Sequence, residues 1–254
     1  MIYTFGDGYA ANHIWPEWPQ FVELLTNVPV KNFGHIGAGN EFIFNCAVKS
    51  SLTANESDIF LIQWSLPNRF DKILENEEWK LLQETDTVYK NIIANVFEQT
   101  WWSTSNSQLK EILNYNDFYV QKTQAINQSL LYMISLSNML SNLKIKHYYF
   151  STPTINWNNN YLFKFVNKLP WIEKMGMEEW SSNLEFRGNQ IQPSPVIHFK
   201  WVVEKILPAL KINIEKDIID KIYKILIDNQ FEPYYFDREQ KWKNLKNEIN
   251  LLFK

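Results

Sequence analysis

Cysteine is nearly absent from this chain: Cys46 stands alone among 254 residues. A lone thiol closes no intramolecular disulfide, so packing and hydrogen bonds must hold the fold, which fits a reducing compartment. The neighbours of Cys46 are Phe42, Ile43, Phe44, Ala47 and Val48, an apolar helix face that predicts a buried structural thiol rather than a reactive one. Also missing is any run approaching the roughly 18 apolar residues that span a bilayer. No basic n-region and apolar h-region lead to a small-residue cleavage site near the first residues. The expectation is a cytoplasmic or virion-associated protein, not one secreted by a signal peptide, and no membrane association. Charge of one sign is lacking as well. Lys and Arg number 25 against 28 Asp and Glu, a formal net charge of −3 that offers no basic surplus for a phosphate backbone. A nucleic-acid partner is therefore not expected.

What is present is apolar and aromatic. The composition is 45% hydrophobic and 16% aromatic with 11 Trp, which points to a globular chain with a sizeable core. Ile2 to Phe5 reads as a strand running into Gly6-Asp7-Gly8, and Trp18 to Leu25 as a helix whose entry is shaped by Pro16 and Pro19. Val28 to Asn32 is a second short strand. The loop Gly34-His35-Ile36-Gly37-Ala38-Gly39-Asn40 then opens a helix from Glu41 to about Ser50. The run Asp58 to Trp64 has the continuous apolar character of a parallel strand covered on both faces. These segments make a βαβαβ unit. Residues 69 to 115 read as an insertion of short helices and loop, with Trp79, Trp101 and Trp102. Asn116 is a candidate cap for a long helix, Asp117 to about Leu143, which feeds a fourth strand, Lys146 to Phe150. Beyond Pro193-Ser194-Pro195, a helix from Val196 to Leu207 is expected to stop at Pro208. Two more helices follow, Ile214 to Ile227 and Asp237 to Phe253.

The fold class expected is therefore α/β. The chain divides into a parallel-sheet domain over residues 1–211, with the insertion at about 69–145, and a helical extension over 212–254 that packs on the domain or meets a protein partner.

Four places along the chain resemble the SGNH (GDSL-type) hydrolase superfamily, in particular a divergent branch of marine bacteria and phages. The first is Ile2 to Ala10 followed by His13 to Pro19. The second is Gly37-Ala38-Gly39-Asn40 opening a helix. The third is Ile62-Gln63-Trp64-Ser65-Leu66-Pro67-Asn68-Arg69. The last is Gln192-Pro193-Ser194-Pro195 with His198 and Trp201. The resemblance implies a three-layer αβα, flavodoxin-like parallel sheet. In such enzymes a serine attacks an acyl carbon, a histidine takes its proton, an aspartate orients the histidine, and backbone N–H groups stabilise the oxyanion.

Matched residue by residue, the triad is gone. Gly8 stands at the nucleophile position beside Asp7, Gln192 at the base and Gln190 at the orienting acid. Glutamine exchanges no proton near neutral pH. The resemblance leaves Gly8 and Gly37 as backbone donors to an anion or carbonyl oxygen, with Asn40 either joining them or capping its own helix. His13, Trp64, Ser65 and His198 are candidates to line a pocket, and a relocated Ser65–His198 pair is the alternative route to hydrolysis. Trp15, Trp18, Trp157 and Trp180 are candidates to stack on sugar rings. His35 and His147 lack acidic or cysteine partners at ligand spacing, so no metal site is expected; no cofactor is expected either. The expected function is a catalytically inactive binding or assembly module for a glycan or small polar ligand, with an esterase or acetyl-carbohydrate hydrolase as the alternative.

Overall fold

A computed structural model describes residues 1–11, 16–67, 69–73, 93–96, 99–105, 122–155, 160–182, 184, 193–229 and 238–253. Its centre is a parallel sheet of four strands: β1 (Ile2–Phe5), β2 (Val30–Asn32), β3 (Ile59–Trp64) and β7 (Lys146–Ser151), in the order β2-β1-β3-β7. β1 sits centrally, with Tyr3 opposite Lys31 on one side and Phe60 on the other. Parallel neighbours require crossovers, and helices supply them: α1 (Trp18–Thr26), α2 (Asn40–Ser51) and, in the long connection to β7, α3 (Lys122–Asn142). The strand order reverses direction after β2, which sends α1 and α2 to opposite faces. This is an α/β protein with helices on both faces of an all-parallel sheet, compatible with a three-layer flavodoxin-like arrangement.

Period-two alternation divides the strand side chains between two cores. Ile2, Leu61 and Phe150 face α1 and the C-terminal helices. Tyr3, Phe5, Phe60, Ile62, Trp64 and Tyr149 face α2 and α3. Helix α1 starts in a capping box, Glu17 N–H donating to Gln20 Oε1 at 3.2 Å, and ends on Asn27 in the left-handed region at φ 53°. A fifth strand is reduced to one parallel bridge, Tyr149 with Trp171: Tyr149 N–H donates to Pro170 O at 2.9 Å and Ile172 N–H to Tyr149 O at 2.7 Å.

Two expectations are corrected. Of the insertion read as short helices and loop, the described parts are strands instead: β4 (Arg69–Ile73), β5 (Ile93–Val96) and β6 (Gln99–Ser105), an antiparallel sheet ordered β4-β6-β5, and the rest of 69–115 lies outside the described residues. Nor does Pro208 end its helix. After the short α4 (Phe163–Val166) and α5 (Met177–Ser182), helix α6 (Pro195–Trp201) passes through a π-helical turn, Val202–Ile206, into α7 (Leu207–Leu210). Leu207 N–H reaches back to Val202 O, and this wider turn accommodates the proline ring immediately after it.

The C-terminal helices α8 (Lys216–Asp228) and α9 (Arg238–Leu251) belong to the α1-side core, where Ile222, Leu226, Leu245 and Ile249 are buried. Trp242 meets Phe21 edge-on at 6.0 Å, Lys246 pairs with Glu23 at 3.2 Å, and Lys200 lies 4.8 Å above the Tyr223 ring. Among the described residues no helix is long and apolar enough to cross a membrane.

Candidate functional site

Parallel α/β sheets gather loop residues at the carboxyl edge of their strands. Here that edge brings together Asp7 after β1, Ser65 after β3, Thr152 after β7 and Asn40 at the start of α2, all buried. Asp7 is the hub. Its Oδ2 accepts from Ser65 Oγ at 2.8 Å, both carboxylate oxygens lie 3.0–3.1 Å from Thr152 Oγ1, and Oδ1 accepts from Tyr9 N–H at 3.1 Å. Thr152 Oγ1 in turn accepts from Gln63 Nε2 at 2.9 Å, and Gln63 Oε1 accepts from Trp18 Nε1 at 2.8 Å. A chain of five side chains thus crosses the top of the sheet, each donor matched to an acceptor, as burial demands.

Asn40 extends this network to the other face. Its Oδ1 accepts from Ser65 N–H at 2.8 Å, and its Nδ2 donates to Ser65 O at 3.1 Å and Ser129 Oγ at 3.0 Å. The Asn40 oxygen is given to the Ser65 amide rather than to the first turn of α2, so Asn40 does not cap its own helix, and with both amide hydrogens spent it points no donor at a ligand. The cap comes instead from Asp71 on β4, a residue the sequence reading did not single out. Asp71 Oδ1 accepts from Gly39 N–H at 2.8 Å and Oδ2 from Phe42 N–H at 2.9 Å, placing a carboxylate at the positive end of α2. Gly39 must be glycine for this approach, because a Cβ there would sit 2.5 Å from Asp71 Oδ2. No local pattern in Arg69–Ile73 announces such a long-range cap.

The two glycine loops are stitched side by side. His35 N–H donates to Gly6 O at 3.1 Å, and Asn32 Nδ2 donates to Ala10 O at 2.6 Å. Gly37 is the third residue of a turn closed by Ala38 N–H on His35 O at 3.1 Å, and its φ of 80° is the positive angle that a type II turn requires there. Gly8 is buried in the turn between Asp7 and Tyr9.

Of the pocket candidates, Ser65 is buried with its hydroxyl proton directed at Asp7. His198, on α6, is buried and meets the Tyr9 ring edge-on at 6.2 Å. Trp64 is a core residue, edge-on to Tyr149 at 5.4 Å, so it lines no open pocket. Trp18 is likewise fully buried, its indole N–H given to Gln63, and is no platform for a sugar. Trp180 packs on Trp201 at 5.0 Å. His13, Trp15, Trp157, Gln190 and Gln192 lie outside the described residues.

Electrostatic perturbation centres on α2 and its surroundings. Burial, then the charge of Asp71, raises the Glu41 carboxyl above its usual range. Burial and the Glu41 charge push the Tyr132 hydroxyl up to about 12. Cys46 is buried as expected, and its thiol is likewise pushed up to about 12, chiefly by burial. A thiol so disposed holds its proton and is a poor nucleophile at neutral pH. Among the described residues no group of three His, Cys, Asp or Glu side chains is arranged to hold a metal ion.

The fold and this edge define an α/β protein built on a parallel sheet, with a closed polar network where such proteins usually keep an open site. In comparisons with family models, curated proteins and solved structures, nothing matches the chain.

Proposed function

We propose that this chain is a catalytically silent protein of the SGNH-hydrolase type, in which the nucleophile turn survives as architecture and the molecule serves as a binding or assembly module. The supporting observation is the fate of Asp7. In the turn where the resemblance expects a serine at position 8, the adjacent carboxylate accepts from Ser65, Thr152 and the Tyr9 amide. Those hydrogen bonds tie β1, β3 and β7 together at their carboxyl ends, a bracing role that needs no substrate. Ser65, the one hydroxyl at this edge suggested as a substitute nucleophile, is buried and donates its proton to a group that already takes two other donors. A nucleophile needs a base that can accept its proton while its oxygen faces an acyl carbon. That geometry is not met by a serine closed inside such a network.

The test is esterase turnover with p-nitrophenyl acetate and an acetylated xylan. Wild type is expected to give none above background, and Gly8→Ser to remain equally inactive because glutamine stands at position 192. Ser65→Ala is expected to change stability alone, by about 1 kcal/mol for one lost buried hydrogen bond. Measurable wild-type turnover that disappears in Ser65→Ala would overturn the proposal.

A further inference from the structure

An arginine N–H that is taken out of water is normally met by a carboxylate or a carbonyl, because a buried donor without an acceptor is costly. Arg69 departs from that pattern. It opens β4 directly after the turn that leaves β3, where its backbone N–H donates to Leu66 O at 3.3 Å. The residue is half-buried, its Nε is fully buried, and no acceptor lies within hydrogen-bond reach of that Nε–H. Among the described residues the guanidinium makes no ion pair either.

The carboxylates at this end of the sheet are engaged elsewhere. Arg69 and Asp71 stand two apart on one strand, so their side chains leave β4 on the same face. Asp71 uses that face to reach α2, its two oxygens taking Gly39 N–H at 2.8 Å and Phe42 N–H at 2.9 Å. Its charge is thus fixed at the start of the helix and not on the arginine. Glu41, in the first turn of α2, bonds to the Tyr132 hydroxyl. Asp7 is closed in with Ser65, Thr152 and the Tyr9 amide. The margin around Arg69 is nevertheless open: Leu66 in the same turn and Ile36 in the loop ahead of α2 are both exposed.

We propose that Arg69 anchors an oxyanion site at the carboxyl edge of the sheet, where a carboxylate or phosphate group takes the Nε–H and the neighbouring Nη–H as a pair. Those two N–H bonds lie parallel, at the spacing of two oxygens on one carbon or phosphorus, a fork that lysine lacks. The ligand supplies the acceptor that the fold withholds from Nε. This inference rests on the binding-module reading, to which it gives a ligand chemistry, and the two fail separately. Ester turnover abolished by Ser65→Ala would overturn that reading, whereas silence in both the ester assay and an anion titration would overturn only the ligand chemistry.

Titration calorimetry with inorganic phosphate and with acetate, at ionic strength held constant with chloride, tests it. Wild type is expected to bind at least one of the two in the millimolar range or tighter, and the preferred anion tells a phosphoryl ligand from a carboxylate. Arg69→Met is expected to weaken that binding about tenfold or more, the loss that goes with hydrogen bonds to a charged group. Arg69→Lys keeps the charge and loses the fork, and it is expected to bind more weakly than wild type as well. Circular dichroism of both variants checks that they are folded. Binding of neither anion, or binding unchanged in Arg69→Met, would overturn the proposal. So would wild-type affinity in Arg69→Lys, which would reveal a diffuse surface charge in place of a site.

Discussion

Buried protons set the chemistry of individual residues in this molecule. Cys46, Tyr132 and Tyr149 all hold theirs more tightly than exposed groups do, because burial penalises the charged form. For Cys46 the folded value is about 12 against an ordinary 9.0. A raised folded pKa means the stability contribution is complete below the unfolded value and is lost as pH rises toward the folded one. Unfolding free energy is therefore expected to fall between pH 9 and pH 12, with a shallower slope in Cys46→Ala; urea titrations across that window measure it. At pH 8 the native thiol is expected to resist an aromatic disulfide reagent and to react once urea unfolds the chain. The burial of Cys46 was legible in its apolar neighbours. The convergence of Asp7, Ser65 and Thr152 was not, since the partners lie 58 and 145 positions from Asp7 and no local pattern links them.

Elements were legible in proportion to how far their residues answer to local periodicity. β1, α1, α2, β3 and β7 follow the expected apolar patterns, with ends displaced by a few residues at most, and α3 follows its pattern from Lys122, where description begins. β4 does not: Arg69, Asp71 and Lys72 place charge on a strand, and Asp71 is there for its contact with α2 rather than for its own element. The expectation of a stop at Pro208 missed the π turn, which depends on the neighbouring backbone rather than on the proline alone. The α2–β4 junction yields a prediction of its own. Asp71→Ala removes the acceptor for Gly39 and Phe42 N–H groups, and loss of a helix cap costs about 0.5–2 kcal/mol. Chemical denaturation should show a loss in that range. Gly39→Ala should be destabilising too, since its Cβ would press on the same carboxylate.

At the scale of the whole molecule, the helices after residue 211 are part of the core and not an attachment to it. Ile222, Leu226, Leu245 and Ile249 are all buried in the core that also holds the inner faces of α1 and α6. Burying one aliphatic side chain contributes about 1.5–3 kcal/mol, so these four together bring roughly 6–12 kcal/mol, comparable to the about 5–15 kcal/mol by which a domain is stable. A chain ending at residue 211 is expected to lose cooperative unfolding and to bind a hydrophobic dye, whereas the full chain should unfold in one transition. Retention of a sharp transition in the shortened chain would show that the sheet is stable without them.

The single bridge at Trp171 reaches further than its size suggests. A strand margin left bare invites another chain to add itself and seed fibrils. Within β7 the outward N–H and C=O of Tyr149 are taken by the Pro170 and Ile172 backbone, which interrupts that margin, and on the far side β2 is only three residues long, with exposed Lys31 at its centre. Among the described residues, then, each border of the parallel sheet is interrupted or short, a construction that works against strand-by-strand addition.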